Sequence, residues 1–106
     1  MGAMETQETV SRWSEETFGE VRTNIRVAAR ANEEMAELLR ALSQDDNHSR
    51  ASEEMADVVI VLYRLATRMG VDLHAEIDRK MAVNRTRKWN TDKGIGWKHT
   101  EKSPLE

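Results

Sequence analysis

The sequence predicts an all-α protein of four helical segments, on three observations. Charged residues make up 33% of the 106-residue chain and aromatics only 5%, and Ala, Glu, Arg, Leu and Met, all good helix formers, are abundant. Strand-favouring residues gather in one run only, at 58–62. Apolar residues elsewhere recur at three- and four-residue steps, which places them on one side of a helix.

The first segment, residues 9–18, carries Val10, Trp13 and Phe18 at roughly helical spacing, with Ser11 or Ser14 as the expected cap and Gly19 as an interruption. Trp13 and Phe18 either pin this short helix to the body or wall a pocket for a nucleobase. A long helix is expected over 20–42, with Val21, Ile25, Ala28, Met35, Leu38, Leu39 and Leu42 in one arc. Glu34 falls at the border of that arc and Glu37 well away from it, as on an ordinary solvated face.

The third helix, over 51–69, has a wide apolar arc of Met55, Val58, Val59, Leu62, Leu65, Ala66 and Met69, extended by Ile60 and Val61. So little polar surface at mid-helix predicts a place inside a bundle or an interface. Glu54 borders the arc and Asp57 follows one step round, and carboxylates beside a buried surface are costly unless paired or bound to metal. Gly70 is the expected left-handed terminator. The last helix runs from an Asp72 cap to Trp89, with Leu73, Ile77 and Met81 as its stripe. Lys80, Asn84 and Arg87 stack on a neighbouring face, which is either a charged outer surface or, for Lys80 and Asn84, a set of phosphate contacts.

These four segments form one domain over 5–89, followed by an irregular tail over 90–106 that holds Trp97 and His99. Met1-Gly2-Ala3 and Leu105-Glu106 read as cloning residues. A net charge of -3 with dispersed Lys and Arg argues against polymeric nucleic acid as a partner. The absence of cysteine removes disulfides and thiolate metal sites and fits a cytoplasmic location. No apolar run approaches the length of a membrane span. A domain this small buries a modest core, so self-association is expected.

The chemistry-bearing stretch is 33–57, where E-E-M-A-E (Glu33, Glu34, Glu37) and E-E-M-A-D (Glu53, Glu54, Asp57) flank a short polar loop. Residues three apart share a helix face, so Glu34 with Glu37 and Glu54 with Asp57 are two carboxylate pairs, which antiparallel helices would bring together. Four converging carboxylates repel unless a cation lies between them. All-oxygen donors suit Mg²⁺, with Mn²⁺ as a second choice, and the absence of Glu-x-x-His argues against a di-iron centre. His48 and His74 lie away from both clusters. Such a site suits hydrolysis of a phosphoanhydride, with Glu33 and Glu53 either orienting water as a general base or standing as plain exposed neighbours of the ligands.

The ordered combination of E-E-x-x-E at 33–37, E-x-x-D at 54–57 and K-x-x-x-N at 80–84 resembles the MazG-like all-α nucleoside triphosphate pyrophosphohydrolases. W-S-E-E-T-F, A-D-V-V-I-V-L-Y and M-G-V-D-L supply similar context over residues 10–89. The resemblance implies a four-helix-type bundle that forms dimers or tetramers, and Mg²⁺-dependent conversion of a (d)NTP to (d)NMP and pyrophosphate for pool control or house-cleaning. It also implies Glu34, Glu37, Glu54 and Asp57 as metal ligands, Glu33 as the candidate water-activating group, and Lys80 and Asn84 as phosphate contacts. Arg87, stacked on the face of Lys80 and Asn84, and Trp13, as the wall of a base pocket, complete the candidate substrate contacts. A phosphoribosyl-ATP pyrophosphatase and a non-catalytic helical dimerisation or regulatory module are the rival expectations.

Overall fold

The computed structural model describes residues 4–44, 48–90 and 98–99. The expectations for both termini, for the loop at 45–47 and for Trp97 lie outside the described residues. The order of elements is α1 (Gln7–Phe18), α2 (Asn24–Ser43), α3 (His48–Arg68), α4 (Leu73–Thr86), β1 (Trp89–Asn90) and β2 (Lys98–His99). The all-α, four-helix expectation is met, and the contacts group the chain into two compact units, Met1–Leu73 and His74–Glu106.

In the first unit α3 packs lengthwise on α2 and also receives α1. The start of α1 is set by Thr6, not by a serine. Its side chain accepts the Thr9 N–H at 3.2 Å, while the Thr9 hydroxyl oxygen accepts the Thr6 N–H at 2.8 Å. Ser11 and Ser14 are instead 2% exposed within the helix. The Ser11 hydroxyl donates to the Tyr63 carbonyl at 3.0 Å and meets the Thr67 hydroxyl at 2.8 Å, joining α1 to α3. Gln7 closes the far end of this unit by donating to the Val71 carbonyl at 2.8 Å and accepting the Leu73 N–H, also at 2.8 Å.

The second helix starts later than its periodicity predicts, because Thr23 caps it by accepting the Arg26 N–H at 3.2 Å. Residues 20–23 become a non-helical connection tied to α3. Arg68 donates to the Val21 carbonyl at 2.7 Å and to Asn24 Oδ1 at 2.9 Å. This bond joins the end of α3 to the start of α2, so the two helices run antiparallel, as expected. The third helix begins three residues earlier than predicted and ends one residue earlier, ahead of the expected glycine stop. Gly70 takes φ 73°, the Gly70 N–H bonds the Thr67 carbonyl and the Val71 N–H bonds the Ala66 carbonyl, both at 3.0 Å.

The buried face of α2 differs from the predicted arc. Ile25 is 80% exposed and Leu39 and Leu42 are 62% exposed, while Val27 and Ala41 are buried and Glu34 and Leu38 partly so. Positions 27, 31, 34, 38 and 41 alternate steps of four and three, a narrow seam whose small residues let α3 approach closely. Ala41 has no exposed surface. Ala41→Leu should therefore lower unfolding stability by about 1–3 kcal/mol through overpacking, read as a reduced urea midpoint at an unchanged slope.

In the second unit α4 stops at Thr86, short of the expected Trp89. The Asn84 carbonyl accepts the Arg87 N–H at 3.2 Å and the Trp89 indole N–H at 3.0 Å, which closes the helix. Val83 is its buried residue, whereas Ile77 and Met81 of the predicted stripe are exposed. The tail is not wholly irregular. Trp89–Asn90 pairs antiparallel with Lys98–His99, Trp89 opposite His99. Two-residue strands are too short to show an alternating pattern in sequence. Among the described residues no helix is long and apolar enough to cross a membrane.

Candidate metal centre and adjoining cavity

Glu34 on α2 and Glu54 and Asp57 on α3 each bring a carboxylate oxygen into a group whose members all lie within 4.8 Å of one another. Glu54 and Asp57 meet because they are three apart on one helix, and Glu34 joins them because it lies on the α2 seam. Its side chain is 13% exposed. Burial pushes the Glu34 carboxyl above its ordinary range, Asp57, Glu54 and Glu37 push the same way, and the Arg30 guanidinium opposes them. Three hard oxygen donors held together at this cost fit a divalent cation of the Mg²⁺ or Mn²⁺ type.

The other predicted site residues are distributed unequally. Glu37 faces arginines, with Arg40 at 2.6 Å and Arg50 at 3.8 Å. Arg30 spans both Glu33 at 2.9 Å and Glu34 at 3.0 Å, so one guanidinium organises the two adjacent acids. In the second unit, Asn84 Oδ1 accepts from Arg87 at 3.5 Å and its Nδ2 lies 3.9 Å from Met81 Sδ, while Lys80 is exposed on the same helix.

A cavity of about 500 Å³ within the first unit is lined by Glu34 and Asp57 and also by Trp13 and Phe18. The two rings meet edge to face, 5.5 Å apart at 86°. Val21, Ile60 and Val61 add apolar wall, and Arg26, Arg30 and Arg64 add cationic groups. The same space is thus bordered by metal-type ligands and by an aromatic surface, the two chemistries a nucleotide presents. Sequence reasoning did not single out Arg30 or Arg64. The i, i+3 and i, i+4 spacing of Arg30 from Glu33 and Glu34 is a usable signal for the first, and the seven-residue spacing of Arg64 from Asp57 is one for the second, although it names no partner.

The profile of the MazG-like family matches residues 30–101, which include all three of these carboxylates. The chain belongs to the MazG-like family. A dATP/dGTP diphosphohydrolase of Salmonella phage PMBT28 is 33% identical over 85 residues, covering 80% of this MazG-like chain and 27% of the phage protein. A dATP/dGTP diphosphohydrolase of Cyanophage S-2L is 40% identical over 57 residues, covering 52% of the chain and 54% of that protein. The MazG-like chain thus matches about a quarter of the first relative's length and about half of the second's. A solved structure, the Cyanophage S-2L MazG-like pyrophosphohydrolase bound to dGDP and three catalytic Mn²⁺ ions per active site, superposes with a TM-score of 0.70 at 32% identity, over 92% of this chain and 91% of that one.

Proposed function

We propose that the chain hydrolyses deoxynucleoside triphosphates to monophosphate and pyrophosphate, with purine nucleotides preferred and a divalent metal required. The observation that carries this reading is the shared cavity, with Glu34 and Asp57 at its acidic border and Trp13 and Phe18 on its wall. The names of the phage relatives, and the dGDP and Mn²⁺ in the cyanophage structure, support the substrate and the metal.

Glu34, Glu54 and Asp57 would hold the metal, and Glu37 would join them on leaving Arg40 and Arg50. When bound, Mg²⁺ or Mn²⁺ polarises a phosphoryl oxygen and lowers the pKa of a coordinated water. Glu33, held next to Glu34 by Arg30, would orient an attacking water and accept its proton. Trp13 stacks on the base; Lys80, Asn84 and Arg87, on the second unit, are a separate set of groups suited to phosphate oxygens. The bond broken is the α–β phosphoanhydride, and water supplies the oxygen.

The working form is a homodimer or homotetramer. Ile25, Met35, Leu39 and Leu42 on α2, Met55 and Val59 on α3 and Met69 just beyond it are all exposed apolar side chains that association would cover. Light scattering should give at least twice the chain mass, and Leu39→Glu should move it toward the single-chain value. A wild-type chain that runs as a monomer at all concentrations removes the oligomer from the proposal.

The activity is tested by pyrophosphate release from a panel of dNTPs, NTPs and phosphoribosyl-ATP with Mg²⁺ or Mn²⁺. Release should be fastest with dATP and dGTP. No release from any of them sinks the enzymatic reading.

A further inference from the structure

We propose that Arg64 is a positioning residue that holds the aromatic wall at its working distance from the carboxylates, with Glu15 as its partner. The inference rests on the nucleotide reading of the cavity. Arg64 is 8% exposed and lies seven residues, two helical turns, beyond Asp57, so both look out from the same side of α3. Arg64 lines the cavity, yet its hydrogen bonds go to the Glu15 side chain on α1 and to the Gly19 carbonyl at its terminus.

Nε donates to Glu15 Oε1 at 3.1 Å, and a terminal nitrogen donates to the Gly19 carbonyl at 2.7 Å. Glu15 lies between Trp13 and Phe18 in the sequence, and Gly19 follows Phe18 directly. Two points on the last turn of α1 are therefore fixed to α3 by one planar fork, which sets both the distance and the direction of the rings. The Gly19 carbonyl also lies just beyond the helix terminus, where backbone acceptors need outside donors. Arg68, one turn further along α3, approaches Glu15 at 3.6 Å and bonds the Val21 carbonyl, so the constraint continues along the cavity's edge. The Glu15 carboxyl is held below its ordinary range by its hydrogen bond to Arg64 and by the charges of Arg64 and Arg68, outweighing its partial burial.

This division of labour separates base binding from metal and phosphate binding. A lysine keeps the charge but cannot make the two-point planar contact. The expected result for Arg64→Lys and Glu15→Gln is a KM for dGTP raised roughly tenfold, since small misplacements of binding groups are costly, with kcat within about threefold of wild type. Inhibition by inorganic triphosphate, which has no base, should be unchanged.

A second readout does not depend on turnover. The near-ultraviolet circular dichroism of the ring pair, taken as wild type minus Trp13→Phe, should collapse in both variants while the far-ultraviolet spectrum is kept. Retention of the ring signal overturns the proposal, as does an unchanged KM in an active wild-type background. A parallel rise in the inhibition constant for inorganic triphosphate overturns it too, by making Arg64 a phosphate ligand. Absence of turnover in the wild type would instead defeat the proposed function, and the ring signal would still decide the role of Arg64.

Discussion

Asp57→Asn and Glu34→Gln are each expected to lower pyrophosphate release by about 100-fold or more while leaving helix content unchanged. The first effect follows from losing a metal oxygen ligand, since metal stabilisation of phosphoryl charge amounts to several kcal/mol and each 1.36 kcal/mol is tenfold in rate. The second follows from the electrostatics of the group. Burial and three neighbouring acids outweigh Arg30 and raise the Glu34 carboxyl, so ionised Glu34 opposes folding in the metal-free chain. Removing its charge should leave the melting temperature in chelator equal to wild type or higher.

The same substitutions should abolish the stabilisation by Mn²⁺, about 2.7 kcal/mol at a hundredfold excess over Kd. Thermal melts in chelator and in Mn²⁺ separate the two effects. A variant that melts low in chelator would mean that the carboxylates serve the fold. A variant that keeps its activity would mean that they do not serve the chemistry.

Trp13→Ala should raise KM for dATP and dGTP with a smaller change in kcat. A base stacked on an aromatic side chain gains about 1–3 kcal/mol, which corresponds to about 5- to 150-fold in KM. Trp13 is partly open to solvent and its contact with Phe18 is edge to face, leaving ring surface for a base. Steady-state kinetics on both nucleotides decides the point. An equal fall in kcat with KM unchanged would remove Trp13 from base binding. Trp13→Phe, which keeps an aromatic face, should recover most of the loss.

Much of the candidate site was legible because its parts are local. Glu54 and Asp57 are three residues apart on a continuous helix, so their convergence needed only the helical period. The identity of the donors, all carboxylate oxygens, by itself restricts the metal to a hard divalent cation. Glu34 was harder. A helical wheel weights its helix toward the large apolar side chains Ile25, Leu39 and Leu42, which the structure leaves exposed, and gives little weight to Ala31 and Ala41. In the structure the small residues mark the seam, because close approach of two helices selects for small volume as much as for hydrophobicity. Glu34 therefore lies on the seam itself, not at its border.

The sequence by itself determined the helices, the left-handed stop at Gly70, the carboxylate chemistry and the antiparallel sense of the two acid-bearing helices, since each depends on neighbours within a few residues. Only the tertiary structure decided which side of α2 meets α3, that Ser11 and Ser14 are helix contacts instead of caps, and that Arg64 and Arg68 hold the end of α1. It also placed Trp13 and Phe18 around the same cavity as Glu34 and Asp57. The reason is physical: a helical wheel records one element's own pattern, whereas burial and long hydrogen bonds, such as Arg64 to Gly19 across 45 residues, belong to pairs of elements.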